Sequence, residues 1–201
     1  MSTIKSFDPE FLETRDLHRL LLSAVAPRPI AFASTIDAKG NVNLSPFSYF
    51  NVFSSNPPIL IFSPARRGKD NTTKHTLENV LEVPEVVINM VDYNLVHACS
   101  LASTDYAQGV NEFEKAGLTE VPSVTITPPR VLESPVSMEC KVLKVESLGP
   151  NPGAGNLVFC EIKRMHFRNN VLGSDGLPDA VLLDLVARCG GLAFANGLAG
   201  V

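Results

Sequence analysis

The sequence predicts a mainly β fold with peripheral helices, a mostly antiparallel barrel, and three observations carry that expectation. The elements read in the order helix, strands, helices, strands, without the regular βαβα alternation of a doubly wound parallel sheet. Two long strand-like segments flank the breaker-rich loop Gly149-Pro-Asn-Pro-Gly-Ala-Gly155, which is a hairpin signature. Short apolar runs such as Pro58-Ile-Leu-Ile-Phe-Ser63 are bounded by breakers, as strands buried on both faces are.

Taken in order, Asp8 to Ala24 places Leu17, Leu20 and Leu21 at helical spacing with charges opposite them, which predicts an amphipathic helix. Ile30 to Ile36 is β-rich, Asp37-Ala-Lys-Gly40 supplies turn chemistry and Asn41 to Phe47 follows, so a hairpin is expected. Strands are expected at Pro58 to Ser63 and Val86 to Val91. Between them Thr72 to Leu81 reads as a helix, capped by Thr72 or Thr73, with Leu77, Val80 and Leu81 on one face. Asn94 to Ala102 and Val110 to Ala116 predict two short helices, and Val136 to Val145 with Leu157 to Phe167 predict the late hairpin. No repeat, low-complexity tract or composition break marks a linker, so one domain over residues 1–201 is expected.

The 201 residues are 45% hydrophobic and 19% charged, with a net charge of −4, which gives no broad attraction to nucleic acid or to an anionic membrane. Any anion site must therefore be local. The N-terminus carries acids where a signal peptide needs an apolar core, and no apolar run approaches the roughly eighteen residues of a membrane span. A soluble, cytoplasmic protein is expected. Cys99, Cys140, Cys160 and Cys189 form no C-x-x-C pair, and His18, His75, His97 and His166 show no i, i+4 pairing, so neither a metal site nor a disulfide framework is indicated.

The chemistry concentrates in two stretches. In Ser63-Pro-Ala-Arg-Arg-Gly-Lys-Asp-Asn-Thr-Thr-Lys-His-Thr76 the cations Arg66, Arg67, Lys69 and Lys74 meet one acid, Asp70, and several hydroxyls. The segment leaves an apolar strand and enters a helix, whose free N–H groups and positive dipole end complete a phosphate or carboxylate site. A solvated surface loop would carry the same charges. It is not a Walker loop, because G-x-x-x-x-G-K-[ST] is absent. In the second stretch, Asn43 to Asn51, the aromatics Phe47, Tyr49 and Phe50 can wall a flat ligand while Ser45 or Ser48 reads its polar edge. Core packing with a turn at Pro46 is the alternative.

An ordered set of segments then carries a resemblance. Arg28-Pro-Ile-Ala-Phe-Ala-Ser-Thr35, Asn43-Leu-Ser-Pro-Phe-Ser48, Asn56-Pro-Pro58, Lys74-His-Thr76 with Asn79, and Val87-Ile-Asn89 are similar to successive motifs of the flavin reductase-like, FMN-binding split-barrel family. Phe113-Glu-Lys-Ala-Gly-Leu-Thr119, Met138-Glu-Cys-Lys141 and Ala187-Arg-Cys-Gly-Gly191 resemble its later motifs. The resemblance implies a six-stranded antiparallel Greek-key split barrel that pairs into a homodimer with FMN near the interface. It implies that Asn43, Ser45, Phe47, Ser48 and Tyr49 face the flavin ring, with Thr35 close by, and that Ser63, Arg66, Lys74 and Thr76 face the phosphate. His75 departs from the family, standing where aspartate is usual, and Arg188 resembles a family arginine. The uncharged tail Leu192 to Val201 is a second reason to expect a homodimer.

With FMN bound, the protein supplies orientation and access control, and no side-chain acid, base or nucleophile is required. The leading expectation is an NAD(P)H:FMN oxidoreductase that takes NADH or NADPH as a transient donor and passes reduced FMN or electrons to a partner monooxygenase or another acceptor. A non-catalytic, flavoredoxin-like electron carrier is the rival, and a third reading drops flavin altogether for a small-ligand or anion-binding barrel with a decayed site.

Overall fold

The computed structural model describes residues 3–190 and 194–196. Helix α1 (Thr14–Ala24) follows a short helical turn at Pro9–Phe11 and buries none of its residues; Leu21 and the following Val25 are 46% and 60% exposed. Strand β1 (Ala31–Ile36) then turns into β2 (Val42–Phe47) through the expected hairpin. The Asp37 carboxylate accepts hydrogen bonds from the Lys39 and Asn41 N–H groups at 2.9 and 2.8 Å, and Gly40 takes φ +92°, a conformation that favours glycine.

Next come β3 (Phe50–Ser55), β4 (Pro58–Phe62), α2 (His75–Glu82), β5 (Glu85–Asn89), α3 (Val96–Ala102) and α4 (Glu112–Ala116). A small ribbon, β6 (Glu120–Val121) with β7 (Arg130–Val131), precedes the long hairpin β8 (Val136–Ser147) and β9 (Asn156–Phe167). Helix α5 (Ala180–Leu183) leads to a second ribbon, β10 (Val186–Arg188) with β11 (Phe194–Asn196). The tail expected to favour a dimer lies outside the described residues except for Phe194–Asn196.

Seven strands form one antiparallel sheet in the order β2-β1-β5-β8-β9-β4-β3. Its two edge strands, β2 and β3, are consecutive in the chain with only Ser48 and Tyr49 between them. The sheet therefore curls until its edges meet at that corner. The Tyr49 carbonyl accepts a hydrogen bond from the Ser63 N–H at 2.9 Å, which ties the corner to the end of β4. No ladder joins β2 to β3 among the described residues, so the sheet curls without closing, and it has seven strands in place of the expected six. The additional strand is β3, whose Val52 and Phe53 are 60% and 64% exposed and whose pattern therefore does not resemble that of a buried strand.

Alternation along β1 divides the core. Ala31 and Ala33 face a cluster with Phe47, Phe62, Leu77, Val80 and Val158, while Phe32 faces Leu44, Val91, Leu95, Cys99 and Phe113 under α3 and α4. Phe32, Phe62 and Phe113 are fully buried, each contributing about 1.5–3 kcal/mol through apolar burial. Helix α2 packs Leu77 and Val80 into the first cluster, as expected, but Leu81 is 65% exposed. Its N-cap is Lys74, with no side-chain cap, because the Thr72 hydroxyl donates to Asp70 (2.6 Å) and the Thr73 hydroxyl to Glu78 (2.5 Å). The expected threonine cap is thus displaced toward the C-terminus, leaving the helix start open.

Candidate functional site

The loop between β4 and α2 is shaped by its own backbone. The Arg66 N–H donates to the Ala154 carbonyl (2.9 Å) and the Gly153 N–H to the Arg66 carbonyl (3.2 Å), which pins the loop to the β8–β9 turn. The Arg67 N–H donates to the Thr72 carbonyl (2.9 Å), and Asn71 takes φ +59°, which asparagine tolerates better than most residues. The adjacent arginines are sent to different partners. Arg66 binds Asn71, Nε to Oδ1 at 2.8 Å and Nη2 to the carbonyl at 2.5 Å. Arg67 binds the Thr73 carbonyl through Nη1 and Asp105 Oδ1 through Nε at 3.0 Å, and Lys74 Nζ lies 3.7 Å from that same oxygen.

Arg67 and Lys74 thus converge on one anionic oxygen, beside Ser45 of β2, the start of α2 and Ser103. Ser103 also lines a neighbouring cavity of about 190 Å³ walled by Ile30, Pro46, Phe47, Ser48 and Arg188. The two spaces share that serine and both lie along β2; taken together as a groove, they have a cationic end and a more apolar end. Phe47 is 8% exposed and packs on Phe62 with ring centroids 5.4 Å apart, so its ring is core as well as wall. The Asp105 carboxylate occupies the cationic end, and its pKa is lowered chiefly by the Arg67 hydrogen bond.

Beneath the groove lies a buried polar chain. The Thr76 hydroxyl donates to Asn43 Oδ1 (2.7 Å), and Asn43 Nδ2 donates to Glu112 Oε1 (2.7 Å). Glu112 Oε2 accepts from the Leu44 N–H at 2.9 Å. Glu112 is 4% exposed, and burial lifts its pKa above the usual carboxylate value, partly opposed by the Leu44 and Asn43 hydrogen bonds. The Leu44 N–H points off the free edge of β2 to reach Glu112. Two residues on, Pro46 has no N–H to offer, so the open edge carries no unpaired donor at either position. Ser45 and Ser48 add hydroxyls along this edge.

The residues expected at the site are distributed as follows. Asn43, Ser45, Phe47, Ser48, Lys74 and Thr76 all line the groove, Asn43 and Thr76 at its floor with their polar atoms committed to one another and to Glu112. Thr35 is buried and accepts from Asn79 Nδ2 at 3.1 Å. Ser63 is 8% exposed against Gly155, where an added Cβ would come within 2.6 Å of its hydroxyl oxygen. Tyr49 and Arg66 border a different and larger cavity, about 590 Å³, against Leu17 and His18 of α1. Arg67 is one of the four cations of the sequence cluster, and Ser103, Asp105 and Glu112, which the sequence does not single out, line the same space. Arg66 and Arg67 are chemically equivalent in the sequence, and their different backbone bonds, to Ala154 and to Thr72, and different side-chain partners, Asn71 and Asp105, separate their roles.

A curled antiparallel sheet flanked by helices, with a cationic and a more apolar space along one edge strand, is the frame of the chain. The chain belongs to the flavin reductase-like domain family, whose model matches residues 23–188. An Aquifex aeolicus protein is 44% identical over 128 residues, covering 64% of this chain and 65% of that one, so the chain spans about two thirds of that relative. A Halalkalibacterium halodurans protein is 37% identical over 190 residues, covering 94% of this chain and 90% of its own. Among solved structures, nitrilotriacetate monooxygenase component B from Bacillus cereus aligns with a TM-score of 0.91 at 28% identity, covering 98% of this chain and 96% of that one. A Shewanella frigidimarina protein described as a flavin reductase with a split barrel domain aligns with a TM-score of 0.80 at 26% identity, covering 96% and 95%. No helix among the described residues is long and apolar enough to cross a membrane. No cluster of three or more metal-ligating side chains occurs among them either.

Proposed function

We propose that this protein is an FMN-binding, NAD(P)H-dependent flavin reductase, a single domain over residues 1–201 that works in the cytoplasm as a homodimer. The observation that carries the reading is the convergence of Arg67 and Lys74 on one carboxylate oxygen, at the end of a groove whose other end is walled by Pro46, Phe47 and Ser48. A ligand with a phosphate at one end and a flat ring at the other matches both ends, and FMN is that ligand.

When bound, FMN supplies the hydride chemistry, and NADH or NADPH serves as transient donor. In this reading Arg67 and Lys74 hold the phosphate beside the open start of α2. Ser45 and Ser48 donate to the polar edge of the ring, and Phe47 backs it from the core. Arg188 stands at the ring end, with its guanidinium 4.5 Å over the Phe194 ring. Exposed Ile4, Phe7, Phe11 and Val25, around an α1 that buries none of its residues, favour a second copy as cover. Likeness to a monooxygenase component supports delivery of reduced flavin to a partner monooxygenase.

The test is spectroscopic first. Protein reconstituted with FMN should show bound-flavin absorbance, release FMN on denaturation, and oxidise NADH or NADPH in steady state when FMN is supplied. Flavin binding without nicotinamide oxidation would favour the electron-carrier reading, and no flavin affinity in the micromolar range or better would end the flavin assignment. Sedimentation of the FMN-loaded protein as a monomer would remove the dimer.

A further inference from the structure

We propose that Asp105 is a built-in competitor for the phosphate end of the groove, and that it makes FMN an exchangeable substrate of this protein in place of a resident cofactor; the proposal rests on the flavin reading of the groove. Asp105 Oδ1 takes the Arg67 Nε hydrogen bond at 3.0 Å and lies 3.7 Å from Lys74 Nζ. The two cations that would meet a phosphate are therefore already held by an anion belonging to the chain.

The pairing is unevenly anchored. The Arg67 side chain is 13% exposed, and its Nη1 is held independently by the Thr73 carbonyl and, at 3.2 Å, by the Thr72 hydroxyl. The cation stays in position whichever anion it meets. The Asp105 side chain is 64% exposed, lies beyond the end of α3, and has Arg67 and Lys74 as its ion-pair partners. It can leave without breaking any other anchor.

A neutral ligand draws no benefit from this end of the groove, and a singly charged one merely replaces one carboxylate by another. A phosphate monoester brings about 1.5 to 2 negative charges and several acceptor oxygens. It can engage Arg67, Lys74 and the neighbouring Ser45 hydroxyl together, and so displaces Asp105. Asp105 remains tethered nearby at high effective concentration, so it re-pairs with the cations as the phosphate loosens and speeds release. A flavin reductase that hands its flavin to another protein needs such release.

The experiment titrates FMN, riboflavin and inorganic phosphate into wild type, Asp105→Asn and Asp105→Glu, and follows FMN dissociation by stopped-flow fluorescence. In Asp105→Asn, FMN should bind about five- to tenfold more tightly, mainly through slower dissociation, with riboflavin unchanged. Asp105→Glu should behave as wild type. Unchanged or weaker FMN binding in Asp105→Asn would overturn the proposal, since a carboxylate that braces the cations for the ligand gives that result. If no protein binds FMN, the flavin reading fails, and the inorganic phosphate titration decides the role of Asp105 alone. Tighter phosphate binding in Asp105→Asn supports competition, and equal or weaker binding refutes it.

Discussion

Asn43 on β2 and Glu112 at the start of α4 stand 69 residues apart in the chain and meet at 2.7 Å under the groove, amide nitrogen to carboxylate oxygen. That contact fixes which way the Asn43 amide points: its oxygen is left for the Thr76 hydroxyl, and β2 is thereby tied to α2 as well as to α4. Glu112→Gln should break one of the two hydrogen bonds that Glu112 accepts, because the amide NH2 must face either the Asn43 amide nitrogen or the Leu44 N–H, both donors. The expected loss is roughly 1–3 kcal/mol of stability, read by chemical denaturation. A variant as stable as wild type would mean that the carboxylate contributes no net hydrogen bonding.

Lys74→Ala tests the phosphate end directly. Removing a charge-assisted partner should weaken FMN about ten- to a hundredfold, roughly 1.5–3 kcal/mol, while riboflavin, which lacks the phosphate, keeps its affinity. The flavin-free protein should melt nearly where wild type does, since the Lys74 side chain is 35% exposed and its ion pair is open to solvent. Equal losses for both ligands would show that Lys74 shapes the loop and does not meet the phosphate.

Acid stability should report on Glu139. Burial acts on its carboxyl first and upward, but the Thr125 hydroxyl, the N–H groups of Val124 and Thr125, and His166 outweigh it and bring the pKa to about 2 from the usual 4.5. Because the folded pKa lies below the unfolded one, the contribution is complete above pH 4.5 and is lost as the pH falls toward about 2. Glu139→Gln should be less stable at neutral pH, and its stability should fall less steeply through that window. Parallel pH profiles for wild type and variant would contradict this.

Thiol labelling should separate the cysteines. Burial pushes Cys99 and Cys140 up to about 12 and lifts Cys160 well above the usual thiol value, so these thiols stay protonated and inert in the native state. Cys189 is partly exposed. Native protein should take up one alkyl group, on Cys189, and denatured protein four; rapid native labelling of Cys99 would reveal an opening beside the groove that it lines.

Local signals were enough for much of this protein. The Asp37-to-Gly40 hairpin, the β8–β9 hairpin around Gly149 to Gly155, and the α2 face with Leu77 and Val80 each depend on neighbours a few residues away, and each was legible in the sequence. So was the concentration of cations and hydroxyls between Ser63 and Thr76. Strand β3 was not legible, because an edge strand exposes Val52 and Phe53 and loses the pattern that burial imposes. The choice between Arg66 and Arg67 was not legible either, since one peptide unit separates identical side chains and the partner that distinguishes them, Asp105, lies 38 residues away. Glu112 reads as an ordinary helical acid until α4 packs on β2 and buries it. What the sequence by itself determined is the set of elements and the chemistry available to them. The tertiary structure alone decided which groups share the groove, because curling the sheet brings together residues that only long-range packing can join.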